Sequence, residues 1–229
     1  MDRGGGDFSG GRAGVQCRGK TMAAYFGVKG PVKSVMEWRH AVEEDGKTPG
    51  DLLGHGHMRM DLFPDGNLQS MHIYDGEKKR VHREEYIQTG PHTWSYKKFG
   101  PAGEQTESGV RKMKRERVEI VETSTNKEGR VTQRMQAGPK KCSSVFTPQE
   151  DVRVAMEWLK NEKGELSSLS VSTRYKEHET LVKLSMKGWQ LDAQGNNLRV
   201  LQTAVDGKGE TVILVREITY YTDAKKDGE

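Results

Sequence analysis

The 229-residue chain is poor in the things that make a protein easy to classify. It has two cysteines, Cys17 and Cys142, and Cys17 falls in a Gly-rich segment, so no structural disulfide is expected and the usage fits a reducing compartment. No apolar run approaches the roughly 18 residues that a membrane-spanning helix needs, so no membrane span is expected. Hydrophobic residues make up 33% of the chain against 31% charged, so core residues are scarce and much of the surface must be wet. Charge of one sign is also in short supply: 37 basic against 33 acidic residues give a net +4, too mild for a dedicated nucleic-acid binder. No segment carries an apolar stripe of period 3.6 over three turns. Residues 104–117 come nearest to a helix, and they are too charged to bury a face. No Gly-rich phosphate loop of the P-loop or dinucleotide type is present. The serines at Ser167, Ser168, Ser170 and Ser172 lie on a strand-like run without a strained nucleophile turn. Cys142 follows Lys140 and Lys141, which would favour its thiolate, but no motif ties it to a histidine.

What the chain does have is turns. Six Gly-bearing signals stand at Pro64–Asn67, Tyr74–Glu77, Lys127–Arg130, Glu162–Glu165, Ala193–Asn196 and Asp206–Gly209. Glycine tolerates the positive φ of tight hairpins, and polar neighbours suit an exposed tip. Between the signals the residues alternate with period two. Met36, Trp38, His40 and Val42 share one face of a first strand. Met58, Met60 and Leu62 alternate with Arg59 and Asp61. His92, Trp94 and Tyr96 alternate again, as do Val154, Met156 and Trp158, then Leu169, Val171 and Thr173, then Val182, Leu184 and Met186. Trp189 is out of phase with Met186 and Leu184, which points either to the other face or to a bulge beside Gly188. The pattern predicts a mainly β protein with little helix, an antiparallel up-and-down barrel of about ten to twelve strands, with a sandwich as the other all-β solution. Linkers are expected at Gly100–Gly109 and Gly138–Gln149. The domain organisation expected is a disordered Gly/Arg-rich tail over 1–21, a barrel domain over 22–222 and a charged end over 223–229. The tail has no apolar stretch of the secretory kind, so an intracellular location is expected, cytoplasmic or organellar, a plastid included.

Three constellations could carry function. Trp38, Trp94, Tyr96 and Trp158 come from separate strands and could line a ligand pocket, giving flat apolar contact with a polar handle. His55-Gly56-His57 with Asp61 is the pattern of a two-imidazole, one-carboxylate metal site of the cupin kind. If the methionine face of that strand is the core, however, both histidines point to solvent. Arg111, Lys112, Lys114, Arg115 and Arg117 form a basic run that could meet an acidic partner or phosphates, or simply be a solvated, salt-bridged face.

Two segments resemble a known family. His92-Thr93-Trp94-Ser95-Tyr96, with Gly100-Pro101-Ala102-Gly103-Glu104 after it, is similar to the strand opening of calycin-like β-barrels. Arg153 to Tyr175, with Glu162-Lys163-Gly164-Glu165-Leu166 at its centre, resembles the closing hairpin of a calycin-like family of unknown function from cyanobacteria and plastid-bearing organisms, distantly related in fold to the bilin lyases. Thr93 stands where the family has glycine. The resemblance implies a lipocalin-like, ligand-holding barrel and no catalytic residue. The function expected is therefore non-enzymatic binding of a small, largely apolar ligand such as a lipid, pigment or tetrapyrrole. A metal-dependent barrel enzyme using His55 and His57, and an assembly subunit using the basic run, are the alternatives.

Overall fold

The computed structural model describes residues 27–116, 119–137, 141–149, 152–162, 166–207 and 210–221. Fifteen strands follow one another along these residues. They are β1 (Val32–Val42), β2 (Pro49–Leu52), β3 (His57–Leu62), β4 (Leu68–Tyr74) and β5 (Arg80–Gly90), then β6 (Thr93–Phe99), β7 (Gln105–Glu116), β8 (Glu119–Asn126), β9 (Val131–Ala137) and β10 (Lys141–Gln149), and finally β11 (Val152–Lys160), β12 (Leu166–Tyr175), β13 (His178–Leu191), β14 (Asn197–Ala204) and β15 (Val212–Tyr220). From β3 to β15 each strand pairs antiparallel with the next, and β15 returns to pair with β1, which also pairs with β3. Fourteen strands thus close on themselves, and β2 is an extra strand joined to β1 beyond the reach of β3: Ser34–Glu37 face β3, while His40 and Val42 face β2.

The closed antiparallel barrel agrees with the expectation, but the strand count exceeds ten to twelve. The reason is visible at β7 and β10. Residues 105–109 of the first expected linker open β7, residues 141–149 of the second are β10, and β7 over 105–116 takes the place of the expected helical candidate over 104–117. Its charges alternate between the two faces of the wall instead of ringing a helix, because the barrel interior itself takes charged side chains here. Glycines at 66, 129, 195 and 207 adopt positive φ in their turns, as the turn chemistry requires. In the Tyr74–Glu77 signal the positive φ falls on Lys78, and Gly76 is needed for closeness instead. Its N–H donates to the Gly54 carbonyl at 2.8 Å, and a Cβ there would run into the Leu53–Gly54 backbone. In the Glu162–Glu165 signal, residues 163–165 lie outside the described residues, as do the tail over 1–21 and the end over 223–229. The ladder slips between Gly188 and Gln190, the bulge expected beside Trp189.

Strand registers carry one face around the whole wall, because residues directly opposite share a side of the sheet. Val35 is opposite Met60, then Met71, Glu84, Lys98 and Glu107 follow on successive strands. Glu122, Met135, Ser144, Met156, Val171 and Val182 continue the same face, and Ile218 of β15 returns it to Val35. This is the interior, since it holds the main buried cluster of Val35, Met60, Tyr86, Trp94, Tyr96, Met135 and Cys142. A smaller cluster of Val200, Val212 and Leu214, with Leu53 and Met186 against it, lies toward β14 and β15. The opposite, outward parity carries Arg83, Glu85, Lys97, Lys112, Arg153 and Lys183, interspersed with exposed apolar residues such as Ile87, Leu159 and Leu181. No helix among the described residues is long and apolar enough to cross a membrane.

Candidate functional site

The interior is built in two unequal ways. On β5 to β9 it is filled, and the filling includes charge. Lys98 Nζ meets Glu107 Oε1 at 2.9 Å, and the Tyr96 hydroxyl donates to the same oxygen at 2.7 Å. Tyr86 donates to Glu84, whose other oxygen lies 3.1 Å from His82 Nε2. Arg111 is paired with Glu122 and lies over the Tyr86 ring, 5.1 Å from its centroid. Burial pushes the Glu84 carboxyl up, but the hydrogen bond from His82, the Lys98 charge and the Tyr86 hydroxyl outweigh it and hold it below its ordinary value. Burial and the neighbouring Glu84 charge raise the Tyr86 phenol well above its ordinary value, so it stays a donor. A narrow cavity lined by Asn67, Leu68, Tyr86, Arg111 and Glu122 adjoins Trp94, whose indole N–H is buried without a partner among the described residues.

On β11 to β13 the interior face is different in both chemistry and packing. Val154, Met156 and Trp158 of β11 lie opposite Thr173, Val171 and Leu169 of β12, which lie opposite Thr180, Val182 and Leu184 of β13. The face is almost wholly apolar, yet none of these side chains is buried, and Val182 is 47% exposed. Trp158 packs against the edge of the main buried cluster, across from the buried Cys142. It therefore stands where the filled part of the interior meets the accessible part. These apolar side chains face inward on a closed wall and are still reachable by solvent, an arrangement able to receive an apolar molecule.

The four aromatic residues expected to share a pocket do not share one. Trp94 and Tyr96 face inward but are packed solid, at 3% and 2% exposure. Trp38 has the outward parity, since its neighbour Glu37 is the one facing Met58 on the interior. Its indole donates to Glu217 Oε1 at 3.2 Å, its ring lies 5.4 Å from that of His57, and Lys78 caps it. The pairing of Met36, Trp38 and His40 on one face was legible; that Val35, Glu37 and Arg39 take the inside was not. Of the four, only Trp158 borders accessible space on the interior face.

His55, His57 and Asp61 are not gathered either. His55 is exposed. His57 has the outward parity, as expected of the face opposite Met60, but it is fully buried rather than solvated. Its Nδ1 accepts from the Arg39 N–H at 3.1 Å and its Nε2–H donates to the Leu53 carbonyl at 2.8 Å, so both nitrogens are used. The cause is β2 and the segment after it, which lie against β1 and bring Leu53 over the ring. Asp61 is held by Arg59 at 2.9 Å and by the Ser70 hydroxyl at 2.9 Å, with His72 3.7 Å away. Among the described residues no three His, Cys, Asp or Glu side chains are placed to hold a metal ion.

The basic run is split by the strand it forms. Arg111 points inward and is 4% exposed against Glu122, so it is withdrawn from any partner; Lys112 and Lys114 point outward and are exposed. The side chain of Arg115, and all of Arg117, lie outside the described residues. The buried charges Glu84, Lys98 and Glu122 were missed in the sequence, although Glu84-x-Tyr86 and Tyr96-x-Lys98 do place each charge in phase with a core aromatic. That phase was the available signal. Comparison with protein-family models and with curated proteins gives no match for the chain.

Proposed function

We propose that the protein binds a small, largely apolar ligand, a lipid, pigment or tetrapyrrole, within the barrel and without catalysis. The observation that carries this is the accessible apolar interior face of β11 to β13, from Val154 and Trp158 through Leu169 and Val171 to Val182 and Leu184. Leaving such residues wet forgoes about 1.5–3 kcal/mol for each large side chain that a ligand would cover. The filled, charged side of the interior adds a complementary feature. Lys98 and Arg111 are already neutralised by Glu107 and Glu122, so the polar side is matched internally and the ligand need bring little charge. The calycin-like kinship implied by the His92–Glu104 and Arg153–Tyr175 segments belongs to this reading, and the second of those segments contributes most of β11 and all of β12 to the apolar face.

Tryptophan fluorescence tests it. Titration with palmitate and with protoporphyrin IX is expected to quench emission saturably. Trp158→Phe should remove most of the response, whereas Trp94→Phe, which alters a packed residue, should retain it. Val182→Glu should weaken binding by about tenfold or more, because a carboxylate would be desolvated by an apolar ligand. A folded protein that responds to neither probe, or one whose response is unchanged in both Trp158→Phe and Val182→Glu, would rule the reading out.

A further inference from the structure

The outer wall carries a second concavity, separate from the interior. It has a volume of about 640 Å³ and lies over β6, β7 and the end of β8. Gly109 forms part of its floor, where β7 and β8 run so close that a Cβ at that position would collide with the Thr125 carbonyl. Three lysines line it, Lys97, Lys112 and Lys127, all exposed. Among the described residues none of the three ammonium groups has an ion-pair or hydrogen-bond partner, and no carboxylate lines the groove. Glu85, directly opposite Lys97, is engaged by Arg83 at 3.3 Å.

The placement of the cations has a direction. Lys97 is directly opposite Ser108, and the Lys127 backbone N–H donates to the Ser108 carbonyl at 3.1 Å, so the two lysines flank Ser108 from either side. Two inter-strand spacings separate their backbones by about 10 Å, a gap that two lysine side chains can close around one anion. Lys112 lies four residues farther along β7, about 13 Å from Ser108. Between them Val110 presents an apolar surface that is 39% exposed. One end of the groove therefore suits a compact anion, the middle a flat and weakly polar body, and the far end a second acceptor.

We propose that this groove is a site for a small organic phosphate, the phosphate held between Lys97 and Lys127 above Ser108 and the organic body lying on Val110 toward Lys112. The volume is that of a small-molecule site, and the charge is uncompensated where the phosphate would sit. The proposal does not depend on the interior ligand, since the two sites lie on opposite faces of the wall.

Titration of the full chain at low salt with adenosine 5′-monophosphate, followed by backbone amide chemical shifts, tests it. Saturable binding is expected, with the shifts centred on Ser108, Val110 and Lys127. Inorganic phosphate and adenosine, each carrying half of the recognised chemistry, should bind about tenfold more weakly or worse. The exposed double substitution Lys97→Gln with Lys127→Gln should cost at least about tenfold and reduce the salt dependence, without altering palmitate quenching of Trp158. Unchanged affinity in that double variant would overturn the proposal. So would shifts located elsewhere, no saturation by several millimolar nucleotide, or binding only to single-stranded oligonucleotides with affinity that grows with length, which would assign the lysines to a polymer backbone.

Discussion

With Nδ1 accepting from Arg39 and Nε2–H donating to Leu53, the His57 ring is fixed as one neutral tautomer in a place that excludes water. Burial is the main cause that depresses its pKa below the ordinary histidine value of 6.5, and burial likewise depresses that of His72. The unfolded chain takes up a proton more readily than the folded one, so this contribution to stability is complete above the unfolded pKa and is lost as pH falls below about 6.5. Urea unfolding midpoints are therefore expected to drop between about pH 7.5 and pH 5.5, and His57→Gln should flatten that drop while lowering stability at the higher pH by about 1–3 kcal/mol. An equal slope in the variant would show that His57 is not the titrating group. A second residue-scale knot lies at the β13–β14 turn, where Asn196 both accepts from the Lys29 N–H at 2.6 Å and donates to the Lys29 carbonyl at 3.0 Å. Tyr220 donates to Asp192 beside it, and burial together with that carboxylate raises the phenol to about 12.

At the scale of the element, β7 explains why a strand can be mistaken for something else. Its inward residues Glu107, Gly109 and Arg111 are no more apolar than its outward residues Ser108, Val110 and Lys112. Hydrophobic alternation was absent because the interior partners of β7 are themselves charged or hydroxylated, and a burial pattern cannot be read from polarity when buried charges are paired. The alternation of β11 to β13 was plain in the sequence, and there the apolar parity does face inward. Gly109 gives β7 its own prediction. Gly109→Ala places a methyl group against the Thr125 carbonyl, backbone against side chain with nowhere to yield. It should cost about 1–3 kcal/mol, read from urea unfolding, and speed amide exchange in β8 more than in β13. The exposed substitution Ser108→Ala, one residue away on the other face, should leave both unchanged within error.

For the whole molecule, closure is the decisive event, and it happens at the β15–β1 seam between residues some 180 positions apart. Eight register pairs join the two strands, and Arg216 Nε donates to Glu37 Oε2 across the seam at 2.7 Å, both side chains only slightly exposed at 11% and 15%. Breaking one partner strands the other in a poor solvent. Glu37→Gln is expected to destabilise by about 2–3 kcal/mol, somewhat less than a fully buried pair would cost, because water still reaches the edges. The double change Glu37→Leu with Arg216→Met should recover most of that loss. A double-mutant cycle by urea unfolding checks it: additive single and double effects would mean that the two residues do not act as a pair.

Antiparallel β structure, the turn positions and the period-two alternation of β11 to β13 were determined by the sequence alone, because hairpin glycines and alternation are local signals that need no distant partner. The strand count, the fate of the aromatics and the fate of His57 were decided only in the tertiary structure. Trp38 faces out, Trp94 is sealed in and Trp158 borders open space, although all three sit on similar alternating strands. Which parity is inside depends on where the wall closes, and whether an inside residue is packed or accessible depends on what stands across the barrel from it. Both are set by contacts between strands far apart in the chain. The same is true of Arg111 and Lys112, adjacent in sequence, one neutralised inside against Glu122 and the other left uncompensated on the outer groove.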